Sequence, residues 1–255
     1  MLRTRVIGRQ IRHFESTAST GWIAKKLAAE TDPEKLHGMV IIAEEQTGGV
    51  GRLGRAWVSP AGGIWITILL KPKIPLDHLF MITMPGRSRL PVPSARSTAS
   101  VRSSSGPTTS SSGGTRRSPA CSWNLLPRRI PCTTPSWGGS GSTRTYRSPI
   151  SRLPLKDILT SLQAEVGHEV DRVALLARVL REFELRYQQL EDGEYDSIIR
   201  EWKSLSMTID QRVVIKTINK TFAGEAIDID AHGALIIRKD NGKVERVIAG
   251  DCFQF

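Results

Sequence analysis

Residues 44–65 read EEQTGGVGRLGRAWVSPAGGIW, and this stretch decides how the first half of the chain is organised. Glycine recurs at 48, 49, 51 and 54, Arg52 and Arg55 are threaded among them, and Trp57 follows. Such a run is neither helix nor strand, so a loop is expected from Gln46 to Ala56. Glycine lets the backbone come close to a phosphate, and arginine presents a planar fork of donors to it. Apolar runs flank the loop. Met39-Val40-Ile41-Ile42-Ala43 suits a buried strand, and Ile64 to Leu70 suits a β-branched one ended by Pro72 and Pro75. Upstream, Trp22, Ile23, Leu27 and Ala28 fall at helical spacing over Gly21 to Ala29, with Ser19 or Thr20 as caps. Ser16-Thr17, taken alone, also reads as a helix cap.

The second half changes character twice. Residues 155–203 are expected to be helical, with Val173, Leu176, Val179, Leu180, Phe183 and Tyr187 forming one apolar stripe. A turn at Asp192-Gly193 leads to a second helix from Tyr195 to Leu205. From Gln211 the pattern becomes short strands, VVIKTIN, AIDIDA, GALIIRK and KVERVIAG, punctuated by Gly224, His232-Gly233 and Asn241-Gly242. Closely spaced turns over so short a span suggest a small SH3-like β-barrel. The expected class is α+β: a catalytic domain over 1–205, mixed sheet with helices, followed by a barrel over 206–255.

Charge is distributed unevenly. The net charge is +11, yet between His78 and Leu155 there are eleven arginines and no Asp, Glu or Lys. Those arginines equal the whole basic excess, and the rest of the chain is neutral. The same segment is rich in proline and serine and holds Cys121 and Cys132, with Cys252 outside it. Three cysteines without regular spacing give neither a disulfide framework nor a metal pattern. The apolar runs are too short for a membrane span. The first residues, MLRTRVIGRQIRHFE, lack the apolar core of a signal peptide. A reducing cytoplasm is the expected location, with no membrane partner. The middle itself, with runs such as SSSGPTTSSSGG, reads as a Ser/Pro-rich linker. A linker of that length between the strands and helices of one domain would be unusual.

Two stretches carry a family resemblance. HFESTAST at 13–20 resembles the strand-end "ST" motif of biotin–protein ligases, and residues 44–65 resemble that family's "QT-GRGR-GR-W-SP-GG" loop. The second is the specific one, because many Gly, Arg and Trp positions are ordered in one loop. Val213 to Asp251 is similar, more weakly, to the family's small barrel. The resemblance implies an enzyme that joins biotin to ATP as biotinyl-5′-AMP and passes biotin to a lysine of a carrier protein. Biotin and ATP would be its substrates, Mg2+ would accompany the ATP, and the partner would be the biotin carrier domain of a biotin-dependent carboxylase. A homodimer is among the assemblies it implies. Ser16, Thr17, Ala18, Gln46, Gly49, Val50, Gly51, Arg52 and Gly63 would line the biotin site. Arg52, Arg55 and Trp57 would face the nucleotide, with Arg52 as the catalytic cation present. Val50 stands where many members carry arginine, and Ala18 where asparagine is common. A DNA-binding module is not expected before Ser16, so transcriptional repression is not expected.

The same resemblance leads one to expect "KWPND", a "KVAG"-like segment with the reactive-site lysine, and "GLGINVN" in the middle, and none is there. The genetic code offers a reason. Gly106-Pro107-Thr108-Thr109 requires codons GGN CCN ACN ACN. Read one nucleotide earlier, these can encode W-P-N-D. In the same phase Arg116 to Ala120 permits K-K-V-A-G, Gly139 to Tyr146 permits G-L-G-I-N-A-N-V, and Pro85 to Ala95 permits an Ala-rich helix. Residues 85–152 are therefore expected to be out of frame, disordered or misfolded, with several sheet strands lost and the family lysine absent.

Three other readings compete with this one. A lipoate or octanoate ligase shares the fold. A noncatalytic biotin-binding relic shares the site. A nucleic-acid-binding protein could use the Arg-rich middle, but aromatic residues for stacking are few there, and a corrected frame removes the basic excess. No nucleic-acid partner is expected. His13, His37, His78, His168 and His232 show no ligand spacing. Asp228 and Asp230 alternate on a strand and are expected to face solvent rather than a metal. Ile64 and Trp65 are expected in the core, with Cys252 as a small buried hydrophobe.

Overall fold

The computed structural model describes residues 2–51, 56–83, 120–125, 133–139, 162–163, 168–206, 208–217, 219–248 and 250–254. Strand β1 (Ile11–Thr17) runs parallel to β2 (Val40–Gln46), with α1 (Thr20–Glu30) and the short α2 (Pro33–Leu36) crossing between them. Strand β3 (Ile64–Ile68) pairs antiparallel with β2. Its other edge is taken by β5 (Thr133–Gly139), which pairs in turn with β4 (Ala120–Leu125). The sheet order is β1-β2-β3-β5-β4.

Both faces of this sheet are covered, which explains the continuous apolar runs of β2 and β3. On one face Ile41, Met39 and Leu69 pack with Ala24, Ala28 and Leu36 beneath α1 and α2. On the other, Val40, Ile64, Ile66 and Ile68 meet Leu180, Phe183 and Tyr187 of α3 (Arg172–Glu191). Asp171 caps α3 by accepting hydrogen bonds from the backbone N–H groups of Val173 and Ala174, both at 3.0 Å. Helix α4 (Tyr195–Leu205) follows the glycine turn at Gly193 (φ 80°). Trp202 and Ile198 of α4 continue the same apolar cluster into the second sheet.

That second sheet is antiparallel, in the order β10-β6-β7-β8-β9. It comprises β6 (Gln211–Lys216), β7 (Thr221–Ile229), β8 (Leu235–Lys239), β9 (Val244–Val247) and β10 (Asp251–Gln254). Val213, Ile215, Ala226, Leu235, Ile237 and Cys252 form its buried face. Asp228 pairs with Lys203 at 2.6 Å. Asp230 pairs with Arg246 and holds the β7–β8 turn by accepting from His232 N and Ala234 N at 2.9 Å each. Both carboxylates are thus structural, and among the described residues no group of three or more His, Cys, Asp or Glu could hold a metal ion.

Three expectations are corrected. Ser16-Thr17 ends β1 instead of capping a helix; Ser19 occupies the N-cap position of α1 without a side-chain cap bond. Val173 is 79% exposed, because the first turn of α3 projects past the apolar cluster and the inward stripe begins later. The middle segment also does contribute strands, at 120–125 and 133–139, so the sheet is not cut off at β3. The reason is that β3 offers a free row of backbone donors and acceptors, and that pairing is indifferent to side-chain identity. The remainder of 85–152 lies outside the described residues.

One buried charge ties the beginning of the chain to α3. Glu184, 5% exposed, accepts hydrogen bonds from the backbone N–H groups of Arg5 (2.5 Å), Val6 (2.9 Å) and Ile7 (2.6 Å). Glu184→Ala strands these donors in a closed interface. The expected cost is about 3 kcal/mol in urea denaturation. A loss below about 0.5 kcal/mol, the level of ordinary surface changes, would remove Glu184 from this role.

Candidate functional site

The parallel pairing of β1 and β2 sets the site. Their C-terminal ends lie side by side, with Ser16 opposite Glu45 and Thr17 opposite Gln46. The chain beyond β2 is stitched to the chain beyond β1: Thr47 N donates to Thr17 O at 2.9 Å, and Gly48 N donates to Ala18 O at 2.8 Å. The segment expected as an open loop is instead a laced ribbon. Gln46 N donates to Ser59 O at 2.7 Å, Trp57 N donates to Gly49 O at 2.8 Å, and single β-bridges join Gln46 to Ser59 and Val50 to Ala56. Gly49 is needed for this closure. A Cβ there would stand 2.4 Å from the Trp57 carbonyl oxygen and 2.8 Å from Ser59 Oγ.

The expected biotin residues Ser16, Thr17, Ala18, Gln46, Gly49, Val50 and Gly51 are therefore brought to one rim, where β1, β2 and the ribbon meet. Ser16, Ala18 and Val50 are exposed, and Thr17, Gln46, Gly49 and Gly51 are half-buried. Trp57 lies on the returning side of the ribbon and is exposed. Arg52 and Arg55 lie outside the described residues. All eleven arginines of the middle segment do so too.

Gln46 is a hub. Its Oε1 accepts from the Thr20 backbone N–H at 2.9 Å and from Thr20 Oγ1 at 3.0 Å. Its Nε2 donates to Ser59 Oγ at 2.9 Å, and Ser59 Oγ donates to Trp57 O at 3.3 Å. Behind them Thr67 Oγ1, on β3, donates to Thr20 Oγ1 at 2.9 Å. Thr20, Ser59 and Thr67 are 1%, 2% and 0% exposed. None was singled out as a site residue from sequence. Thr20 reads as a helix cap, while Ser59 and Thr67 lie inside a motif and an apolar strand without a reading of their own. The available signal was a hydroxyl inside the IWITILL run, since a buried hydroxyl must find a partner.

A second anchor holds the Gly62-Gly63 turn. Gly62 adopts φ 94°, and a Cβ on Gly63 would lie 2.4 Å from the Trp65 indole, so a ring passes where a side chain would be. Trp65 Nε1 donates to Pro60 O at 2.8 Å. Arg172, the first residue of α3, donates through Nη1 to Gly63 O at 3.0 Å and to Glu44 Oε2 at 2.6 Å. Glu44 Oε1 also meets His13 Nε2 at 2.9 Å. Burial pushes the Glu44 carboxyl up, but the hydrogen bonds from His13 and Arg172 outweigh it and leave its pKa below the usual carboxylate value.

Two stretches of the chain match family models. Residues 14–87 match the Biotin/lipoate A/B protein ligase family, and residues 208–253 match the Biotin protein ligase C terminal domain. The bifunctional ligase/repressor BirA of Bacillus subtilis is 27% identical over 253 residues, covering 98% of this chain and 75% of that protein. Among solved structures, the biotin protein ligase from Aquifex aeolicus in complex with biotin and ATP superposes with a TM-score of 0.73 at 17% identity. The match covers 96% of this chain and 97% of that one. The enzyme from Leishmania major in complex with biotinyl-5-AMP superposes with a TM-score of 0.50 at 17% identity, covering 94% and 99%. The fold, a mixed sheet with helices and a small C-terminal β-module, is the one these solved ligases share. The chain is thus similar to biotin protein ligases in both of its parts, over residues 14–87 and over residues 208–253.

The Glu44 link predicts a pH dependence with a definite sign. A carboxyl whose folded pKa lies below its ordinary value of 4.5 stabilises the fold above that value and loses the contribution as the pH falls through the lower, folded one. The melting-temperature difference between the parent chain and Glu44→Gln should be constant near neutrality and shrink steadily below about pH 4.5. A difference that grows on acidification would contradict this assignment.

Proposed function

We propose that this chain is an ATP-dependent biotin–protein ligase whose biotin site is the rim formed by Ser16, Thr17, Ala18, Gln46, Gly49, Val50 and Gly51, with Arg52 and Gly63 contributing. Arg52, Arg55 and Trp57 face the nucleotide. The single observation carrying the reading is the lacing of the 46–59 ribbon to the ends of β1 and β2. It gathers the residues of two separated motifs at one place. In the reaction a biotin carboxylate oxygen attacks the α-phosphorus of ATP and pyrophosphate leaves. The amine of a carrier-domain lysine then attacks the acyl carbon, AMP leaves, and the amine gives up a proton. The first step brings two anions together, so fixed donors and cations must converge on the phosphate. A glycine-rich backbone and the arginines at 52 and 55 suit that need. Mg2+ would ride on the triphosphate, its usual way of binding in such sites. The working unit comprises a catalytic domain over 1–205 and a C-terminal module over 206–255, a biotin carrier domain is the partner, and the setting is cytoplasmic. The match of residues 208–253 to a biotin-ligase module supports biotin over lipoate.

We further infer that residues 85–152 are translated out of frame and that the chain as it stands is impaired. Three observations support this. The flanks are adapted to each other across the segment, through Glu184 with Arg5–Ile7 and Arg172 with Glu44 and Gly63, so both are in their native frame. Pro135 stands inside β5, paired with Trp123 of β4, where a residue without an N–H is out of place. Read one nucleotide earlier, Ala120 to Asn124 permits G-V-L-V-E and Pro135 to Gly139 permits A-V-V-G-G, and positions 124 and 138 allow no other residue. These are the aliphatic strands that the buried β3 requires beside it.

Two measurements test the proposal. The nucleotide sequence across codons 80 to 156 should reveal one nucleotide missing near codon 84 and one extra near codon 152. An unbroken frame would sink the frame inference. Biotin-dependent exchange of pyrophosphate into ATP should be weak in this chain and rise at least about a hundredfold in the reframed one, as expected when a catalytic cation is restored. Lipoate should support neither. Equal activity in both chains would refute the impairment, and lipoate-dependent exchange alone would replace the substrate.

A further inference from the structure

A buried chain of hydroxyls gives Gln46 a fixed polarity. A carboxamide can turn by half a revolution and exchange its oxygen for its nitrogen with little change of shape, so its orientation must come from its neighbours. Here one neighbour is unambiguous. The backbone N–H of Thr20 can only donate, so the atom 2.9 Å from it must be the Gln46 oxygen. The Thr20 hydroxyl, receiving a hydrogen bond from Thr67, points its own proton to that same oxygen. On the far side Ser59 gives its proton to Trp57 O and so accepts from Gln46 Nε2. All five bonds run in one direction, from β3 through the start of α1 and the end of β2 to the ribbon. Turning the amide would set N–H against N–H at Thr20.

One consequence concerns the ligand. With its oxygen doubly occupied and one amide hydrogen committed to Ser59, Gln46 has a single hydrogen-bonding capacity left among the described residues, and it is a donor. We propose that Thr20, Ser59 and Thr67 are positioning residues that hold Gln46 as a hydrogen-bond donor toward the ligand head group. The head-group atom it meets is then an acceptor of carbonyl type. This rests on the assignment of Gln46 to the biotin site, where the ureido oxygen is such an acceptor.

The test compares biotin with 2-iminobiotin, whose protonated head group replaces the carbonyl acceptor with a guanidinium that only donates. By isothermal titration the unaltered chain should prefer biotin by about a hundredfold or more, because a buried donor facing a donor is left unpaired. Thr67→Val frees the Thr20 hydroxyl to accept and should reduce that preference about tenfold, while Thr67→Ser restores it. Gln46→Glu keeps both contacts to Thr20, removes the donor, and should invert the preference. A purely structural Thr67 would lower both affinities equally and leave the ratio unchanged, which would overturn the proposal. Independently of any ligand, nuclear Overhauser effects in the unaltered protein should connect the Gln46 amide protons to the Ser59 β-protons. Contacts to the Thr20 amide proton instead would overturn it. If neither the unaltered chain nor the reframed one binds either compound, the biotin assignment falls, and the Overhauser contacts alone decide the amide orientation.

Discussion

The site depends on four polar side chains, Thr20, Gln46, Ser59 and Thr67, placed in a layer that is otherwise apolar. Buried and unpaired, each would cost on the order of 1–3 kcal/mol, so their positions are mutually binding. Pairing them joins four pieces of chain: β3, the first residue of α1, the last residue of β2, and the return of the ribbon. The ribbon's shape follows. Gly49 must be glycine because Ser59 and the Trp57 carbonyl press against it, and that pressing comes from the same chain of bonds. The glycine pattern that looks made for a phosphate is therefore also a packing requirement.

Much of the fold was legible from pattern alone, because strongly periodic segments leave little choice. The helix at Tyr195–Leu205, the buried strands around Ile41 and Ile66, and the change to short strands after Gln211 all follow from apolar spacing and turn residues. The final strand at Asp251–Gln254 was not legible, since four residues carry too little period and its reason for existing is the open edge of β6. The outward turn of Val173 was hidden for a different reason. A stripe of apolar residues does not say where the helix leaves the core.

For the site, the motifs identified which residues gather, and the structure supplied how. Thr67 illustrates the gap. Its hydroxyl acts through Thr20, forty-seven positions away in sequence, and such a partner has no local signature. Arg172 is similar: a helix-start arginine looks like a solvated charge, yet it reaches Glu44 and the Gly63 carbonyl. Codon arithmetic shows what the middle could encode, and long-range contacts between its flanks show that the two outer parts were shaped together.

Amide hydrogen exchange with and without biotin reports directly on where biotin is held. Slower exchange confined to residues 16–20 and 46–59, at Thr47, Gly48 and Trp57 above all, is the predicted result, with lipoate leaving the same amides unchanged. Protection elsewhere in the chain, with the ribbon unaffected, would show that biotin is not held where β1, β2 and the ribbon meet.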